Sequence, residues 1–119
     1  MSALKNLEGR LITEVGTEVS ITYPLNILGE DLLECPVFIR IEDFWINIYN
    51  PLIIDGLDKT KSLKQLVNKK VLFVNESSEF IEIHLEDNII LRIDLRDESF
   101  TGPEALSLHG PNNLIVVWN

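Results

Sequence analysis

Residues able to do bond-making chemistry are few in this chain of 119 residues. Its only general-base candidates near neutral pH are His84 and His109, and its single thiol is Cys35. Nucleophilic catalysis needs a nucleophile, a base and a group that orients the base. Neither histidine has a neighbouring Ser or Cys in a recognised motif. Cys35 stands before Pro36 and beside Leu32 and Leu33, the setting of a buried structural thiol. One cysteine cannot close an intramolecular disulfide, and a zinc site wants three or four His or Cys ligands. Glu86-Asp87-Asn88 is too short for a calcium loop, and the glycines are too scattered to cradle phosphate. The expectation is a protein that is not an enzyme and has neither cofactor nor metal.

What remains is surface, and the surface is acidic. Asp plus Glu number 19 against 10 Lys plus Arg, a net charge of -9. Binding a phosphate backbone rests on clustered positive charge, so direct contact with nucleic acid is not expected. A basic protein partner suits the same balance, because opposite net charges steer encounter. Met1–Arg10 holds no secretory apolar run, and no stretch approaches the 18 apolar residues of a membrane span. The expected setting is the cytoplasm, with no membrane contact.

The elements that must carry this surface show internal repetition. Ala3–Val15 aligns without gaps on Ser62–Val74, 59 positions further on, with Leu, Lys, Leu and Val recurring. Gly9 falls opposite Asn68, the two residue types that best tolerate positive φ. Each copy reads as a short helical turn (near residues 2–8 and 61–68), a left-handed stop and a strand. Alternating runs follow in both halves. Val37–Ile41 and Trp45–Tyr49 are joined by Glu42-Asp43-Phe44; Phe80–Leu85 and Ile89–Leu95 are joined by Glu86-Asp87-Asn88. Isoleucines and leucines would fill one face, while Arg40, Glu42, Asn47, Glu82, His84, Arg92 and Asp94 would occupy the other. A proline and another apolar segment come after each hairpin, at Pro51–Gly56 and Pro103–Gly110, and Leu114–Trp118 completes the sheet.

These signs predict one domain over 1–119, with repeat units of about 3–56 and 62–119. The fold is mainly β: antiparallel, about eight strands and one or two short helices, the halves related by a pseudo-two-fold. An α+β arrangement is the alternative, should the segment 61–68 pack as a helix across one face. Residues 16–36 interrupt the repeat, and either form an extra strand at Val19–Tyr23 or a functional loop. Charge is uneven as well. Residues 59–70 carry five lysines and no acid, whereas 75–104 carry nine acids and only two arginines.

Candidate contacts follow from acids near loops and aromatics. They are Glu30, Asp31 and Glu34 in the insertion; Glu42, Asp43 and Trp45 at the first hairpin; and Glu76, Glu79, Glu86 and Asp87 at the second.

Several runs resemble a group of small acidic bacterial proteins. They are the opening Leu7-Glu8-Gly9-Arg10-Leu11-Ile12, the run Phe44–Pro51, Glu86-Asp87 with Leu91-Arg92-Ile93, and Phe100–Leu106 with Val117-Trp118. Several members are immunity proteins of contact-dependent growth inhibition or related polymorphic toxin systems. The resemblance implies stoichiometric neutralisation of a cognate toxin domain, commonly a nuclease, and supplies no catalytic residues. Two other readings stand beside it: a structural or adaptor domain that self-associates through Val116 and Trp118 or another strand edge, and a small-ligand-binding β domain with Trp45 or Trp118 in its pocket.

Overall fold

The computed structural model describes residues 3–17, 37–56, 63–100 and 102–119. The expected strand Val19–Tyr23, Cys35 and the candidate contacts Glu30, Asp31 and Glu34 lie outside the described residues.

Alternation of apolar and polar residues becomes strand wherever it was read. The nine strands among the described residues are β1 (Ile12–Thr17), β2 (Val37–Ile41), β3 (Phe44–Ile48), β4 (Leu52–Asp55), β5 (Val71–Glu76), β6 (Phe80–Leu85), β7 (Ile89–Asp94), β8 (Leu106–Gly110) and β9 (Leu114–Trp118). All pairings are antiparallel. One sheet has the order β1-β2-β3-β8-β9 and the other β4-β7-β6-β5. The helical turns are short 3-10 segments, Ala3–Leu7 and Leu63–Leu66. The mainly β expectation therefore holds, with nine strands among the described residues against the about eight expected.

Inner faces of the two sheets form one apolar cluster. Ile39, Ile41, Ile46 and Ile48 meet Ile81, Ile83, Leu85, Leu91 and Ile93 there, with Leu4, Leu7 and Leu66 from the 3-10 turns. Each such side chain contributes roughly 1.5–3 kcal/mol by leaving water. Phe44 departs from the sequence reading. It opens β3 opposite Ile41 and is buried, so the first hairpin loop is only Glu42-Asp43. Asp94 departs too: strand parity placed it on the wet face, yet it is 7% exposed.

Contacts recur at a spacing of 59 residues around an isolated bridge between Leu11 and Lys70. The Gly9 N–H donates to Val71 O (2.7 Å), and the Asn68 N–H donates to Ile12 O (2.7 Å). Ile12 N–H reaches Lys69 O while Val71 N–H reaches Arg10 O. Gly9 has φ 84° and Asn68 φ 73°, so both stops are left-handed as expected. Register shifts fall between Ile12 and Glu14 in β1 and between Val71 and Phe73 in β5.

The final strand of each hairpin set crosses over. β4 leaves β3 to pair with β7, and β8 pairs with β3. Asn50 pins the first crossing: its N–H donates to Ala105 O and its buried Nδ2 donates to Asp94 O (2.7 Å). Pro51, with no N–H to lose, sits just before β4 and accepts from the Asp94 N–H.

Candidate functional site

The tips of both hairpins come to the Leu11–Lys70 bridge. Glu42 Oε2 accepts the Leu11 N–H (3.0 Å), and Glu86 Oε1 accepts the Lys70 N–H (2.7 Å). Glu42 has φ 55°, an uncommon conformation for a glutamate, and it also pairs with Arg10 at 3.1 Å. The Leu11 N–H, more than the Arg10 guanidinium, holds the Glu42 carboxyl below its usual range. Asp87 and Asn88 both take positive φ in the second loop, as their turn chemistry predicts, and Asp87 pairs with Lys69. Lysines of the basic stretch thus meet acids of the acidic stretch. Asp43 is exposed. Among the described residues, Arg10, Arg40, Lys69 and Lys70 stand beside Glu42, Asp43, Glu86 and Asp87, so these acids are matched by bases.

The opposite end of the four-stranded sheet is different. β6 separates Glu79 from Glu86 by its six residues, roughly 20 Å of extended chain. Glu79 O accepts the Leu95 N–H (2.7 Å), which sets the β5–β6 turn against the segment after β7. Asp94 closes β7, and the segment after it carries Arg96, Asp97 and Glu98. Arg96 is the sole base there, and Asp94 engages it: Arg96 Nη2 donates to Asp94 Oδ2 (2.7 Å), and the Arg96 N–H and the Ser99 hydroxyl donate to the same carboxylate. Arg96, first through its side chain, lowers the Asp94 carboxyl to about 2. This contact also explains the burial of Asp94: residues two and five positions on fold back over it. Glu98 touches Arg96 only at 3.6 Å and is 74% exposed; Glu79 and Asp97 are exposed.

Aromatic residues stand among these acids. Arg96 lies over the Phe80 ring at 5.2 Å, and Trp118 Nε1 donates to Glu76 Oε2 (2.9 Å), joining the edge strands β9 and β5. Of the candidate acids, Glu76 and Glu79 therefore belong to one end, and Glu42, Asp43, Glu86 and Asp87 to the other. Asp97 and Glu98 were not singled out from the sequence. Their signal was the acid density after β7, which has no base beyond Arg96.

Trp45 stands on β3 and not in the hairpin loop. It lies on the outer face of the five-stranded sheet, 39% exposed, opposite Arg40 and His109, and stacks on the His109 ring at 5.1 Å. On the other sheet Phe73 stacks on His84 at 4.1 Å. The buried His84 Nε2 lies 3.5 Å from Glu82 Oε1. Arg92 bridges Glu82 and Asp55, and chiefly through that contact lowers the Glu82 carboxyl. Both histidines are thus seated on aromatic rings. An open cleft of about 310 Å³ is lined by Tyr49, Gly102, Pro103 and Glu104, and neither tryptophan borders it.

Among the described residues no group of three or more His, Cys, Asp or Glu could hold a metal ion, and no helix is long and apolar enough to cross a membrane. The chain is an antiparallel two-sheet β protein in which, among the described residues, acids are matched by bases at one end and outnumber them at the other. No family model, curated protein or solved structure matches the chain.

Proposed function

We propose that this chain is an immunity protein: a stoichiometric inhibitor that binds a basic toxin domain, in the class of nucleases, within the cytoplasm of the cell that makes it. The observation that carries the reading is the uncompensated acid at one end, where Glu76, Glu79, Asp97 and Glu98 surround Arg96, Phe80 and Trp118. A nuclease must hold a polyanion, so its cleft is basic. Carboxylates held on a rigid sheet end would steer towards it and occupy sites built for phosphate. Phe80 and Trp118 supply apolar area of the kind that carries interface energy. Glu42, Glu86 and Asp87 already hold the chain's own backbone and bases, which makes them weaker contacts than Asp43 at that end.

Co-expression with a basic nuclease toxin domain, sought among secreted proteins encoded next to this chain, tests the reading. Restored growth and a one-to-one complex are expected. Undiminished lethality with the chain present in soluble form would overturn it.

A further inference from the structure

Among the described residues the two sheets have four edge strands, and three of them are guarded. β5 is broken by a register shift, and the Ala3–Leu7 turn lies along it: Glu8 Oε2 accepts the Val74 N–H (2.9 Å), and Lys5 Nζ donates to Val74 O (2.6 Å). β1 carries the matching register shift and packs against the Leu63–Leu66 turn. β4 is four residues long and ends in Asp55, which pairs with Arg92. Bulges, short strands, charges and covering segments are the usual protections against pairing with another chain.

β9 has none of these among the described residues. It keeps unbroken register with β8 through all five of its residues, Leu114, Ile115, Val116, Val117 and Trp118, with no charge and no proline. Its outer-face side chains Ile115 and Val117 are 62% and 39% exposed. Leu114, Val116 and Trp118 lie half-buried against the core from the other side. On the side away from β8, alternate backbone N–H and C=O groups meet no strand among the described residues.

We infer that β9 is a self-association edge, at which a second copy of this chain adds its own β9 antiparallel to form a continuous ten-stranded sheet across a two-fold axis. The sequence of the strand is self-complementary in that register. Centred on Val116, the pairing sets Ile115 opposite Val117 of the second copy, and Leu114 opposite Trp118, so every cross-strand pair is apolar. Because a two-fold contact is isologous, it closes at two chains and does not propagate. Charge selects the antiparallel direction. Glu76 lies at the Trp118 end of β9, while the turn Gly110-Pro111-Asn112-Asn113 at the Leu114 end is uncharged. Antiparallel addition sets the acidic end of one copy beside the uncharged turn of the other.

This contact is independent of toxin binding and has the opposite salt dependence. Two chains of charge -9 repel, so the dimer strengthens as salt is added, whereas an acidic–basic complex weakens. Sedimentation velocity of the purified chain from low micromolar to near-millimolar concentration provides the test. The expected result is a concentration-dependent doubling of mass that is more complete at high salt. Ile115→Lys with Val117→Lys, both at exposed positions, is expected to keep the chain monomeric. Leu72→Lys, equally exposed but on the guarded strand β5, should leave the doubling intact. Hydrogen exchange provides a second reading, with β9 amides slowing as concentration rises. A monomer at every concentration and salt, or a dimer that survives the paired lysines, would overturn the inference.

Discussion

The two ends of β6 carry similar numbers of acids with opposite roles. At the Leu85 end, Glu42 and Glu86 accept backbone N–H groups from the bridge residues Leu11 and Lys70, and Asp87 takes Lys69. At the Phe80 end, Asp94 is fixed by Arg96 and Ser99, while Glu79, Asp97 and Glu98 face water. Acid content alone does not identify a docking surface. A carboxylate that completes the fold is a poor candidate for a partner's base, because a new contact competes with one already made. The carboxylates without internal work set the field that a partner meets.

The largest expected effect breaks the comparison at its structural end. Glu42→Ala with Glu86→Ala removes the acceptors of two N–H groups at the bridge and leaves alanine in a left-handed turn. Thermal unfolding should fall by several degrees. An unchanged midpoint would show that water replaces these carboxylates at no cost.

Next comes the buried carboxylate between the two roles. Asp94→Asn should cost about 1 kcal/mol at neutral pH, a figure kept small because the Arg96 side chain is half in water. The Asp94 carboxyl titrates at about 2 when folded and near 3.8 otherwise. Its stabilisation is therefore complete above the higher value and lost as pH falls through the lower. The gap between wild type and variant in denaturant midpoint should close over that window. A gap that persists at the lowest pH would assign the cost to packing.

A smaller change sharpens the contrast. Glu79→Gln, Asp97→Asn and Glu98→Gln together should alter stability by no more than about 0.5 kcal/mol, since none holds a buried group. A larger loss would move these residues into the structural class. Smallest of all, Glu76→Gln keeps an acceptor for Trp118 Nε1, so Trp118 fluorescence should shift little; a marked red shift would show that the charge itself holds the ring.

Much of this architecture was legible because its causes are local. Period-two alternation located both hairpins, and Asp87-Asn88 and Gly9/Asn68 announced backbone positions that few residues tolerate. Hydrogen bonds about Leu11 and Lys70 join Gly9 to Val71 and Asn68 to Ile12. Pairing partners were not legible. Nothing in Leu52–Asp55 states that it will leave β3 for β7, because that choice depends on where Asn50 finds Ala105 and Asp94. Parity misplaced Asp94 for a related reason: the arginine that covers it comes from beyond the strand. Phe44 was read into the loop because Glu42-Asp43 is a tighter turn than the acids alone imply. The candidate acids were found as types, but their division between two ends needed the fold.

The most direct test of the account is the rate at which a basic toxin domain of the proposed class associates with this chain as salt is varied. For Glu79→Gln, Asp97→Asn and Glu98→Gln combined, the account predicts association about tenfold slower at low salt, with a flattened salt dependence. For Asp43→Asn with Asp87→Asn at the other end, it predicts nearly unchanged rates. The reverse pattern, with the hairpin-tip variant slow and the other at the wild-type rate, would contradict it.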